Sequence, residues 1–356
     1  MAITVDFLEQ GGQDGSATAH LLADFLCRAA TSLDIAIYDW RLSPALAEPI
    51  RQTLAEGVRA GVRVRAVFDA GKQTVPFQDA GADPAPPGTR QFIASLGSGI
   101  DARPITGGDP RMPKLMHHKY IVRDAGTPAA AIWTGSTNFT DDSWTLQENN
   151  IVRLDSPELS VYYETDFGEL WARGDIATTG LHDNGRVMVN GAAVNVAFAP
   201  GDGPLIDHQI AQCIGRAARR IKMCSMLLTS GAILGALGDV LHHGRLGEYG
   251  GLYDRTQMES VFEQWQGTPA EWKIGAFNVV SQGLAGKHST RYAPGSPHDF
   301  MHNKVVVVDD TVITGSYNLS HSATQNAENL VMISDAKLAG QYVAYIDRLV
   351  ARYGKS

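Results

Sequence analysis

Cysteine is scarce in this chain: Cys27, Cys213 and Cys224 are the only three in 356 residues. They form no even set and show no metal-ligand spacing. That excludes a disulfide framework and a thiolate metal centre, and predicts reduced residues in or near the core. Long apolar runs are missing too, and nothing approaches the ~18 residues needed to span a bilayer. The opening Met-Ala-Ile-Thr-Val-Asp-Phe-Leu-Glu has no basic region and carries acids where a signal peptide needs an apolar core. These absences predict a cytoplasmic protein with no transmembrane segment, unless a leader was removed before this numbering. Positive charge is also short, with 30 Lys and Arg against 38 Asp and Glu for a net charge of −8. No basic run offers a long track for nucleic acid, although a local basic cleft stays compatible with that balance.

What the chain does have is a phrase that occurs twice. Residues 116–124 read Met-His-His-Lys-Tyr-Ile-Val-Arg-Asp, and residues 301–309 read Met-His-Asn-Lys-Val-Val-Val-Val-Asp. Both fit His-x-Lys-x4-Asp: His117, Lys119 and Asp124, then His302, Lys304 and Asp309. The residues between Lys and Asp are strand formers, and on a strand the His and Lys share a face. One such match is an ordinary polar face. Two with matching surroundings are a duplication. Gly135-Ser136-Thr-Asn138 is matched by Gly315-Ser316-Tyr-Asn318, and ten residues past each Asn comes Glu148-Asn149 or Glu328-Asn329. Asp69 and Asp254 each lie 48 residues before the motif His, while Asp155 and Gly174 align with Asp335 and Gly354. The predicted organisation is two tandem units, 1–175 and 176–356, each large enough for its own core.

Within each unit, strand, helix and strand follow one another with short joins, the pattern of a parallel βαβ arrangement. Strands are expected at 33–38, 62–68, 129–134 and 148–153, and helices at 18–30, 44–61 and 157–173 with a kink at Pro49. The second unit opens with a hairpin whose turn is Asn190-Gly191. It continues with helix 205–219, strand 221–228, helix 231–243 and strand 251–254. Segments 70–92, 101–115, 255–275 and 283–300 read as loops, the Pro- and Gly-rich 70–92 as a lid or disordered insert. Cys27 and Cys213 sit on helices as packing residues. His118 points away from its neighbours' face, and His242, His243 and His298 are surface or cap residues. Trp144, Arg103, Arg111 and Arg291 fit either a cleft mouth or solvated loops.

Equivalent His, Lys, Asn and Ser pairs point to one site on a pseudo-twofold axis between the units. The set suits displacement at a phosphodiester. Lys119, Lys304, Asn138, Asn318 and the Ser136 and Ser316 hydroxyls can hold phosphoryl oxygens. One imidazole can attack phosphorus to give a covalent phosphohistidine, and the other can protonate the leaving oxygen. Glu148 and Glu328 fit as partners of the far ring nitrogens. With two ammonium groups supplying positive charge, no metal or other cofactor is expected.

The paired motifs with Gly-Ser-x-Asn and a following Glu resemble the phospholipase D superfamily, nearly end to end. That resemblance implies an α/β fold of two duplicated α/β/α sandwich units with the active site between them. It also makes His117 the nucleophile and His302 the general acid. Asp124 and Asp309 are expected to be structural ion partners. The implied substrate is a phosphodiester, with water or an alcohol as acceptor. The acidic balance and unlike loops lean towards a phospholipid headgroup or similar small diester. A metal-independent nuclease is the alternative, and a catalytically silent binding protein is disfavoured because no motif residue is lost. Since the halves already form a pseudo-dimer, a monomer is expected.

Overall fold

The computed structural model describes residues 2–71, 88–108, 114–244, 246–293 and 295–354. In the first half these form β1 (Ile3–Leu8), α1 (Gly15–Leu26), β2 (Ser32–Ile37), β3 (Trp40–Arg41), α2 (Pro44–Arg59), β4 (Arg63–Asp69), α3 (Thr89–Ser95) and β5 (Ile100–Ile105). There follow β6 (Lys119–Arg123), β7 (Ala131–Gly135), β8 (Phe139–Thr140), α4 (Asp141–Thr145), β9 (Asn149–Asp155) and α5 (Pro157–Arg173). The second half begins with β10 (Gly185–Val189), β11 (Ala192–Ala199), α6 (Gly203–Gly215), β12 (Arg220–Ser225), α7 (Gly231–His242) and β13 (Glu248–Asp254). It ends with α8 (Arg255–Trp265), α9 (Trp272–Val280), β14 (Leu284–Lys287), β15 (Lys304–Val308), β16 (Thr311–Gly315), β17 (Glu328–Ser334) and α10 (Ala336–Tyr353).

The first sheet runs β1-β9-β7-β6-β2-β4-β5 and the second β10-β11-β17-β16-β15-β12-β13-β14. Apart from the extra β10, the two orders are the same, so the sequence duplication is a duplication of topology. In both sheets the motif strand, β6 or β15, is central and fully buried. Helices α1 and α2 cover one face of the first sheet, and α6 and α7 cover one face of the second. Between the sheets, α5 and α10 join residues of both halves in a shared core that includes Tyr120, Tyr163, Phe167, Phe198, Val305, Tyr342 and Tyr345. This is the expected pair of α/β/α units. Truncating a ring in such a core costs about 3–5 kcal/mol, so each unit has ample apolar stabilisation.

The motif aspartates close the motif strands. Asp124 and Asp309 adopt positive φ of 53° and 51°, a turn conformation that Asp tolerates better than most residues. The Asp124 carboxylate accepts from the backbone N–H groups of Ala30, Thr31 and Ser32 and from the Thr31 hydroxyl. Asp309 accepts likewise from Ala218, Arg219 and Arg220. Each pins the end of the motif strand to the chain entering the neighbouring strand. The expected ion partnership is therefore corrected to a cradle of backbone amides, with a long Arg219 contact of 4.0 Å at Asp309 as the one ion contact among the described residues.

Other departures concern the segments read as loops. Residues 100–105 are the edge strand β5, and 284–287 are the edge strand β14; both are too short and too polar to announce themselves. Residues 255–275 hold α8 and most of the run into α9. Helix α2 runs through Pro49, its sixth residue, whose missing N–H leaves the Ala45 carbonyl without its intrahelical donor. Cys27 is exposed rather than near the core, whereas Cys224 is buried and Cys213 is intermediate. Most of the 70–92 segment lies outside the described residues. The Asn190-Gly191 hairpin is as read, with both turn residues at positive φ.

Candidate active site

Each motif His sits two residues before its strand residue Lys, and the chain leading to it is fastened on both sides. Asp69, at the end of β4, accepts from the Met116 N–H at 2.7 Å, and Asp254, at the end of β13, accepts from Met301 at 2.9 Å. The His117 N–H donates to the Ala327 carbonyl at 2.8 Å, and the His302 N–H to the Glu148 carbonyl at 3.1 Å. Each histidine is therefore held by the opposite half. Both imidazoles and both amides, Asn138 and Asn318, line a single cavity of about 420 Å³. The two histidines open onto one space.

The lysines lie below. Lys119 and Lys304 are buried, and their ammonium groups donate to the carbonyls of His117 and His302 at 2.9 and 2.8 Å. Lys119 also sits 5.1 Å from the centre of the Tyr38 ring, which packs 4.8 Å from the His117 ring. Burial pushes Lys119 down to about 7 and Lys304 well below its ordinary value. Both imidazoles are likewise lowered by burial, and then by the two lysines. At Lys119 the carboxylates of Glu328, Asp39 and Asp69 offset that lowering only in part, and a negatively charged group entering the cavity acts in the same direction.

The ring partners break the symmetry. His117 Nδ1 meets Glu328 Oε2 at 2.8 Å, as expected. His302 Nδ1 meets Asn149 Oδ1 at 3.0 Å, and Glu148 does not reach the ring. The strand register explains this. Gly135 pairs with Ile151 in the first sheet and Gly315 with Leu330 in the second, which makes Asn150 the equivalent of Asn329 and Asn149 that of Glu328. Glu148 then corresponds to Ala327. The first half carries one extra residue between Asn138 and the strand, where the short helix α4 replaces a single 3-10 segment. Matching on Glu-Asn was therefore off by one, and Ser156 and Asp335 are the equivalent helix caps in place of Asp155 and Asp335. The Asn149 amide donates to the Ser143 carbonyl and Gln147 Oε1, which fixes Oδ1 towards His302. In consequence His302 must donate from Nδ1. Burial raises Glu328 to about 7.

Ser136 and Ser316 are fully buried and do not line the cavity. The Ser136 hydroxyl donates to Asn149 Oδ1, and Ser316 accepts from the Asn329 N–H, so both brace the ring partners instead of facing a substrate. Glu148 accepts from Lys287 at 2.6 Å and from the Tyr353 hydroxyl. His118 turns away, 3.2 Å from Asp166. His298, expected at the surface, lines the cavity between Tyr292 and Phe300 in a stack of rings. Trp144 is buried in the core and does not reach the mouth. Arg103 bonds the Trp171 carbonyl and Arg291 pairs with Glu263, both away from the cavity. Arg111 lies outside the described residues.

Several lining residues escaped the sequence reading. Tyr38, Asp39 and Arg41 follow β2, and Met226 and Leu227 follow β12 in the equivalent place. Their common signal is position: they are the residues just past the strand that pairs with the motif strand. Asp39 holds Arg41 in a bidentate pair, so the arginine of the cavity is neutralised.

Comparison with known proteins agrees with this geometry. The family model described as cardiolipin synthase, PLD-like domain, matches residues 22–171 and again 210–350. A phospholipase D of Rickettsia prowazekii (strain Madrid E) is 52% identical over 44 residues, 12% of this chain and 22% of that protein. That of Rickettsia bellii (strain RML369-C) is 50% identical over 44 residues, with the same coverage. The chain thus matches about a fifth of the length of these curated relatives. Among solved structures, phosphatidylserine synthase of Haemophilus influenzae Rd KW20 superposes with a TM-score of 0.65 at 13% identity, over 98% of this chain and 86% of that one. Polyphosphate kinase of Porphyromonas gingivalis gives 0.56 at 10% identity, over 98% and 47%. These likenesses show the fold.

Proposed function

Since the chain belongs to the phospholipase D superfamily of phosphodiester-acting enzymes, we propose that it cleaves a small phosphodiester, such as a phospholipid headgroup ester, through a covalent phosphohistidine on His117. The two histidines lining one cavity carry this reading. Glu328 fixes the His117 Nδ1 proton and leaves Nε2 with a lone pair for attack on phosphorus. As the P–N bond forms, the bond to the leaving oxygen breaks, and His302 Nε2–H gives that oxygen its proton. A neutral partner suits this role. Asn149 orients His302 without holding the proton by charge, so the imidazolium releases it readily. The neutral His302 then removes a proton from water or an alcohol, whose oxygen displaces His117 and ends the cycle. Lys119, Lys304, Asn138 and Asn318 stabilise the equatorial oxygens as charge develops.

An anion entering the cavity raises the lysines and imidazoles back towards their charged forms, so binding takes up protons near neutrality. The substrate class follows from what flanks the lysines. Among the described residues, the one arginine lining the cavity is already paired with Asp39. A single diester fits that supply of charge better than a polyanionic strand. Initial rates on phosphatidylcholine vesicles and single-stranded DNA, with the His117→Ala/His302→Ala double variant as blank, test this. Turnover of DNA alone would overturn the substrate class. Turnover by the double variant would overturn the mechanism.

A further inference from the structure

Glu148 stands where the other half has Ala327, one position away from any contact with an imidazole, yet it is fully buried. Its carboxylate accepts from Lys287 Nζ at 2.6 Å and from the Tyr353 hydroxyl, and Lys287 lies 5.4 Å from the centre of the Tyr353 ring. These three come from different places: the chain entering β9, the end of β14 and the end of α10. We propose that Lys287, Glu148 and Tyr353 form a clamp that positions His302 for proton transfer to the leaving group; this rests on the role given to His302 above.

The backbone makes the connection. The Glu148 carbonyl receives the His302 N–H, and the Glu148 N–H donates to the Phe300 carbonyl at 3.3 Å. The next residue, Asn149, holds the His302 ring. Glu148 therefore sets both the main chain and, through its neighbour, the side chain of His302. From the far side, Lys287 lies opposite Asp254 in the β13–β14 register, and Asp254 fastens Met301. One ion pair thus joins both supports of His302. A buried ion pair seldom stabilises a fold more than an apolar pair of the same shape, whereas it does fix geometry. Around His117 the backbone bonds are the same, and only the side-chain brace differs. The Ala327 N–H donates to the Leu115 carbonyl, and the Leu115 N–H to Asn326 Oδ1. The clamp serves one histidine only.

In the step that phosphorylates His117, a displaced general acid hurts alkyl esters, whose leaving oxygen needs a proton, and spares nitrophenyl esters, whose leaving group departs as an anion. A purely structural loss would lower both alike. The test measures the single-turnover rate of His117 phosphorylation, and KM, for an alkyl and a nitrophenyl phosphodiester in Tyr353→Phe, Glu148→Gln and the double variant Glu148→Ala/Lys287→Met, which removes both buried charges together. His302→Ala is run beside them, with thermal melts on every sample. The expected result is a loss in phosphorylation rate of about tenfold or more on the alkyl ester, a change of less than about threefold on the nitrophenyl ester, and little change in KM. The basic limb of the pH profile should also move. Equal losses on both esters, or none on either, would overturn the clamp. If His302→Ala itself fails to discriminate, the role of His302 falls, and the clamp with it.

Discussion

The two halves share one strand order and differ at the site by one residue. In the second half Glu328 follows Asn318 by ten positions and takes His117; in the first, Asn149 follows Asn138 by eleven and takes His302. The flanks differ as well. Tyr38, Asp39 and Arg41 border the cavity from the first half, where the second offers Met226 and Leu227. Duplication thus supplied the scaffold, and small departures from it gave the two histidines different partners. In the proposed mechanism a carboxylate favours the imidazole that carries a positive charge while bonded to phosphorus, and an amide favours the one that lets a proton go.

Exchanging the histidines' fates gives the largest effect. His117→Ala should abolish turnover and phosphoenzyme for every ester. His302→Ala should lose about 10²–10⁴-fold on alkyl esters while still accumulating phosphate on His117 from a nitrophenyl ester. Trapping of labelled phosphate by His302 in the His117→Ala variant would reverse the assignment. Next come the ring partners. Asn149→Asp should raise the His302 pKa and carry the basic limb of the rate profile upward by about one unit, whereas Glu328→Gln should lower kcat by at least about tenfold. An unmoved limb in Asn149→Asp would show that the amide is not tuning proton release.

The two aspartate cradles give a smaller contrast, read in stability. Asp124→Asn should cost about 2–3 kcal/mol and Asp309→Asn about 1 kcal/mol, because the former is buried and the latter is partly solvated. Both carboxyls are held below the ordinary range by backbone N–H donors acting against burial. Their contribution is thus present above the unfolded carboxylate pKa and disappears as pH falls through the lower folded value. Urea midpoints from pH 2 to 7 measure it, and equal losses would erase the contrast. The join between the halves behaves oppositely. Asp183 is buried with both oxygens lacking a hydrogen-bond partner among the described residues, and burial, then Asp166 and Glu169, raises it to about 9. A raised acid loses stability as pH climbs from the ordinary carboxylate value towards 9. Asp183→Asn should be more stable than the parent by a margin growing about 1 kcal/mol per pH unit over that window. A constant margin would remove the cause.

Much of this was legible because duplication writes the same constraint twice. His-x-Lys on a strand, the aspartates 48 residues upstream and the Asn190-Gly191 turn all obey local rules that survive without tertiary context. The ring partner of His302 did not, since Glu148-Asn149 and Glu328-Asn329 look alike while only the strand register, set by backbone pairing, tells them apart. Aligning Asn150-Ile151-Val152 on Asn329-Leu330-Val331 would have found it. Edge strands β5 and β14 were lost because edges need little apolar alternation. Tyr38 and Lys287 carry no motif, and only their neighbours in space give them meaning.

The extra residue ahead of β9 has a consequence for ancestry. In a homodimer of single units any insertion occurs on both sides of the axis, so the two imidazoles would have to accept identical partners, two acids or two amides. Once both copies are joined in one polypeptide, a lone insertion can reach one of them. Fusion is what allows a single carboxylate to be allotted to a pair of histidines.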